Sequence, residues 1–105
     1  MENLFDEYTF MIDHEDSSSY DPCMAAVDVI ITTKTGIRYS APFVTPNFVD
    51  TMFEKNARTG ECARGSYFCM PGMIIVREMS DAIVGATIED LIANAEIEHY
   101  FEELN

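Results

Sequence analysis

The stretch that most constrains the fold runs from Ala25 to Val44, AAVDVIITTKTGIRYSAPFV. Its first half, Ala25–Thr33, carries β-branched Val27, Val29, Ile30 and Ile31, the composition of a strand. In its second half Ile37, Tyr39, Ala41 and Phe43 alternate with Arg38, Ser40, Pro42 and Val44, the period of a half-buried strand. Lys34-Thr35-Gly36 lies between them, and Gly36 supplies the positive φ that a tight turn needs. A hairpin follows. Pro42 has no N–H for a ladder, so it is predicted at a sheet edge or at the strand's end.

The remaining segments extend this hairpin. Glu7–Asp13 reads as a first strand, and the polar, turn-rich residues 14–21 read as a flexible acidic loop. Thr45-Pro46 starts a helix to about Asn56, with Thr45 as N-cap and Pro46 where its missing N–H costs nothing. That helix is expected to bury Phe48, Val49, Met52 and Phe53. Residues 57–65 read as a loop, and Ser66–Met70 and Met73–Met79 as a second hairpin around Pro71-Gly72. The consecutive apolar residues Met73-Ile-Ile-Val predict a central strand covered on both faces. Thr87 to Asp90 resembles a capping box opening a C-terminal helix. Ile88, Leu91, Ile92 and Ala95 share one face of it, and Ile97, Tyr100, Phe101 and Leu104 another. One straight helix cannot bury both sets, so a break is predicted near Asn94-Ala95-Glu96. The chain of 105 residues is expected to be a single α+β domain. Its architecture would be an antiparallel β-sheet of about five strands with two to three helices packed on it.

Charge is the strongest compositional fact. The net charge is −13, and all six basic residues fall between Lys34 and Arg77. Residues 1–21 carry seven acids and no base, and residues 80–105 again seven acids and no base. Such a field repels nucleic acid and anionic membrane and steers a basic partner. Solubility alone also favours acidic surfaces, so charge by itself does not name a function. No apolar run approaches the length of a membrane span. The acidic start MENLFDEYTF is unlike a signal peptide, so a soluble, cytoplasmic protein is expected.

The residues of catalysis are missing as patterns. There is no phosphate-binding glycine motif, and His14 and His99 stand alone among acids. The three cysteines, Cys23, Cys62 and Cys69, are odd in number and lack CxxC spacing, which favours reduced thiols without metal. Cys69 reads as part of a core strand, and Cys62 as the exposed thiol. The aromatic residues, Phe43 and Tyr67 among them, read as core rather than as base-stacking platforms, because the charge around them has the wrong sign. Neither an enzyme nor a cofactor-binding protein is expected.

The succession VDVIITTKTGIRYSAPFVTPNFVDTMFEK, TGECARGSYFCMPGMIIVREMS and TIEDLIANAEIEHYFEEL resembles small immunity proteins of bacterial polymorphic-toxin systems, including contact-dependent growth inhibition. The likeness rests on Gly36, Tyr39, Ala41, Phe43, Thr45, Gly65, Tyr67, Phe68, Ile75, Val76, Ile88, Asp90, Leu91 and Ile92. It covers about residues 27–104. Pro42 and the YFCMPG stretch depart from that pattern, and residues 1–26 lie outside it. The resemblance implies a protein that binds and neutralises a cognate toxin domain, basic and often a nuclease, by steric and electrostatic occlusion. Contacts are then expected from the acidic ends: Asp13, Glu15, Asp16 and Asp21, and Glu89, Glu96, Glu98, Glu102 and Glu103. The alternative is an acidic nucleic-acid mimic that inhibits a DNA- or RNA-binding enzyme. A mimic spaces its carboxylates along an elongated surface. An immunity protein gathers them in a compact patch with apolar anchors.

Overall fold

The computed structural model describes residues 5–13 and 26–104. Strand β1 (Tyr8–Asp13) pairs antiparallel with β2 (Ala26–Thr33), and β2 with β3 (Arg38–Val44). The predicted hairpin turn is present. Gly36 has φ 89°, its N–H donates to the Thr33 carbonyl at 2.9 Å, and the Ile37 N–H donates to Thr33 Oγ1 at 3.1 Å.

Alternation decides what each sheet face does. Tyr8, Phe10, Ile12, Val27, Val29, Ile31, Tyr39, Ala41 and Phe43 point inward, and the last five are buried. Helix α3 (Asp81–Ala93) lies over this face with Val84 and Ile88 fully buried. At Gly85 an added Cβ would stand 3.4 Å from the Phe10 ring, so helix and sheet approach closely there. Ile97 and Phe101 close the core, with the Phe101 ring edge-on to Phe43 at 5.9 Å. On the opposite face Thr9, Met11, Asp13 and Asp28 are exposed, Ile30, Thr32, Ser40 and Pro42 half-buried, and Val44 fully buried.

Two very short strands share the far edge of β3. Strand β4 (Ile74–Ile75) runs parallel to it through Phe43↔Ile74 and Val44↔Ile75. Strand β5 (Glu102–Glu103) runs antiparallel through Tyr39↔Glu103 and Ser40↔Glu102. The α+β class and the five strands are those expected from sequence, and the pairing is antiparallel except at β4. Pro42 falls between the stretches that bind β5 and β4, where β3 has no outer ladder.

Several local expectations are corrected. The second hairpin does not form: residues 66–70 are not strand, and β4 is a two-residue edge strand rather than a central one. Ile75 is 55% exposed, so the apolar run Met73–Val76 has one side in solvent. Tyr67 is 54% exposed rather than core, and Phe68 packs on Phe48 instead of the sheet. Cys69 is exposed and Cys62 half-buried, the reverse of the sequence reading, and both are free thiols. Cys23 lies outside the described residues.

Helix α1 (Pro46–Thr59) begins at Thr45-Pro46 as predicted but runs on to Thr59, ending at Gly60 with φ 88°. Its Phe48, Val49, Met52 and Phe53 are only half-buried and stand outside the main core, and its one buried residue is Asn56. What was expected as loop continues into α2 (Glu61–Gly65), a left-handed turn with positive φ at Cys62, Ala63, Arg64 and Gly65. A Cβ at Gly65 would stand 2.5 Å from the Phe53 carbonyl oxygen, so the turn rests directly on α1.

Helix α3 starts earlier than Thr87. Ser80 is its N-cap and accepts from the Ile83 N–H at 3.3 Å, while Thr87 lies inside the helix with its hydroxyl donating to the Ile83 carbonyl. The predicted break is present. Ala95 has φ 57°, and α4 (Ile97–Tyr100) follows as a single turn before β5.

Candidate partner-binding face

The outward-facing residues of β1, β2 and β3 form rows across the opposite face, three of which reach β1. Register gives Thr9–Thr32–Arg38, then Met11–Ile30–Ser40–Glu102, then Asp13–Asp28–Pro42. Neighbouring rows are two residues apart, about 7 Å, and adjacent strands about 4.8 Å. Met11 is 54% exposed and Ile30 half-buried, so the middle row is apolar at its centre. Asp13 and Asp28 rim it on one side and Glu102 on another. Arg38 lies in the far row, roughly 14 Å from the Asp13 row.

Beside Asp28 and Glu102 the face deepens into a crevice of about 540 Å³. Asp28, Ser40 and Pro42 line it from the sheet, Pro71-Gly72 from one side and Glu98 to Glu102 from the other. Gly72 has φ 73°, and a Cβ there would stand 2.6 Å from the Tyr100 carbonyl oxygen, so only glycine lets these walls meet.

The structure sorts the acidic residues singled out in the sequence. Asp13 and Glu102 lie on the sheet's outward side, and Glu98 lines the crevice while its charge also reaches the inward-facing Tyr39. Glu96 is exposed at the break between α3 and α4. Glu89 sits on α3 next to Tyr8, whose hydroxyl pKa is raised by burial and then by that carboxylate. Glu103, opposite Tyr39, belongs to the inner side. Burial raises the Tyr39 pKa, helped by the charges of Glu103 and Glu98 and by a hydrogen bond to the Glu103 carboxylate. Glu15, Asp16 and Asp21 lie outside the described residues, as does the expected loop 14–21. Asp28 was missed. Its signal was an acid at an outward position of an otherwise apolar strand, VDVII.

Electrostatically the face divides, with Asp13, Asp28 and Glu102 toward one end and Arg38 and Lys34 toward the other. Lys34 pairs with Glu7 at 3.9 Å and Lys55 with Glu61 at 3.8 Å, both exposed, and the Lys34–Glu7 pair continues the outward side two residues beyond Thr9 and Thr32. No group of three His, Cys, Asp or Glu among the described residues is arranged to hold a metal ion. No described helix is long and apolar enough to cross a membrane. Compared with protein-family models, with curated proteins and with solved structures, the chain matches none.

Proposed function

We propose that this chain is an immunity protein whose outward sheet face binds and occludes a basic bacterial toxin domain, such as a nuclease. The observation that carries this reading is the grouping of Asp13, Asp28 and Glu102 around Met11 and Ile30. Binding surfaces draw their energy from a few desolvated anchors inside a polar rim. Charge on the rim speeds encounter and suppresses wrong partners. A face of this kind inhibits by covering a site and needs no chemistry of its own.

The rival reading, a nucleic-acid mimic, draws on the same net charge of −13. It needs carboxylates strung along the molecule, whose longest dimension is 51 Å. From β1 to β5 the acidic face spans three strand spacings, about 14 Å. The clustering favours the immunity reading.

The test is neutralisation of a cognate toxin domain, to be sought in the adjacent reading frames. Reversing Asp13, Asp28 and Glu102 to Lys should abolish protection, while the circular dichroism spectrum and melting temperature stay near wild type. The association rate with the toxin should fall steeply from low to moderate salt, because exposed charges are screened within ~8–10 Å. Full protection by the triple variant would reject this face as the binding surface. Displacement of the partner by short duplex DNA would point to mimicry instead.

A further inference from the structure

Strand β1 is an edge of the sheet, and among the described residues it pairs with β2 alone. The Lys34 N–H donates to the Glu7 carbonyl at 3.1 Å, which fixes the phase of that ladder. Antiparallel bonding alternates, so Thr9, Met11 and Asp13 turn their N–H and C=O toward β2. Tyr8, Phe10 and Ile12 turn theirs the other way, to an edge with no partner strand among the described residues. The strand is regular over six residues. It carries no proline, no lysine, no bulge and no charge on its inward side, the usual means of blocking an edge.

Packing is unfinished at the same edge. Val29, Ile31, Tyr39, Ala41 and Phe43, inward on β2 and β3, are buried, whereas Tyr8, Phe10 and Ile12 are only half-buried. Helix α3 reaches past them. Its Val84 and Ile88 point into the core and Gly85 meets the Phe10 ring. At about 100° per residue, Ala82, Ala86 and Glu89 then lie on the next flank, and all three are exposed. A further strand beside β1 would cover its inward side chains and lie under that flank, where two alanines leave room.

Charge decides what such a strand carries. Asp13 stands on the outward side of β1, and the charge of Glu89 reaches Tyr8 on the inward side. A basic residue opposite either end of β1 would meet one of them. A second copy would set one net charge of −13 against another, with seven acids in residues 1–21 of each chain.

We propose that the free edge of β1 takes up an extended, basic segment of a partner protein as a sixth, antiparallel strand. The proposal rests on the immunity reading only in giving that segment to the toxin. The competence of the edge belongs to this chain alone.

The test uses the full chain, isotope-labelled, with the capped hexapeptide Lys-Val-Thr-Val-Thr-Lys as probe and amide NMR as readout. Paired antiparallel, its lysines stand opposite Asp13 and Tyr8 and its valines opposite Ile12 and Phe10. In the free chain the amide hydrogens of Thr9 and Met11 should exchange slowly, and those of Tyr8, Phe10 and Ile12 fast. The hexapeptide should shift the latter three, and N-methylation of its two valines should weaken that response roughly tenfold or more. Ile12→Pro, which removes one outward N–H, should weaken it as well. The N-methylated peptide serves if that variant loses its fold. Slow exchange of all three amides in the free chain would overturn the proposal, because the edge would already be covered. Protection that grows with protein concentration would overturn it in favour of a second copy. No shift, or an equal response to the N-methylated peptide, would reject the added strand. The two readings fail separately. Selective edge shifts without toxin neutralisation would leave the strand site standing and remove the immunity reading. Neutralisation by a complex in which those three amides still exchange fast would do the reverse.

Discussion

Asp13 stands directly opposite Asp28 across the β1–β2 ladder, two exposed carboxylates in one cross-strand pair. Like charges in that position repel, and each such pair is destabilising by up to ~1 kcal/mol. Asp13→Asn should therefore stabilise the fold by ~0.2–1 kcal/mol at low ionic strength, and by less at high salt. The same substitution should slow association with the toxin. A variant that is more stable yet a poorer inhibitor, measured by denaturant unfolding and by neutralisation, is the signature of charges kept for binding.

Aromatic residues that look alike in sequence should part company on mutation. Phe43 is fully buried between sheet, Phe101 and α3, so Phe43→Ala should cost ~3–5 kcal/mol. Tyr67 is more than half exposed, and Tyr67→Ala should stay within about 0.5 kcal/mol of wild type. Urea midpoints of the two variants give the comparison directly.

Asn56 is the one buried residue of α1, and neither polar atom of its amide has a hydrogen-bond partner among the described residues. An unsatisfied buried amide costs ~1–3 kcal/mol. Asn56→Leu, which replaces it with an apolar group of similar size, should raise the thermal midpoint. A clear drop in stability would show that the amide makes bonds that matter.

Alkaline pH should loosen the fold through Tyr39. Its folded-state pKa lies above the ordinary 10.0 because burial and the nearby carboxylates oppose its ionisation. As pH rises past that ordinary value, the unfolded chain releases the proton first, and stability falls until the folded-state pKa is passed. Below the ordinary value, the contribution is complete. The melting temperature should decline as pH rises past 10, and Tyr39→Phe should flatten that decline.

What the sequence determined by itself is the part of the fold built from neighbours. Alternation in 26–44, Gly36 in the turn and Thr45-Pro46 at the head of α1 are settled within a few residues, as is the break at Ala95, where one helix would have needed two buried faces. What only the tertiary structure decided is which apolar residues acquire a covering. Met73–Val76 is as apolar as a central strand, yet it adds only two residues to the edge of β3, because no further strand is supplied to its other side. Phe48, Val49, Met52 and Phe53 keep helical spacing but rest beside their own following turn rather than on the sheet, since the left-handed residues 62–65 fold the chain back onto α1. The site divides in the same way. Acidity at both ends of the chain was legible as composition, whereas the meeting of Asp13 and Asp28 with Glu102 depends on β5 pairing with Ser40, a contact across more than sixty residues. Hydrophobic pattern records which side chains avoid water; only long-range pairing fixes which ones find company, and which carboxylates are left facing a partner.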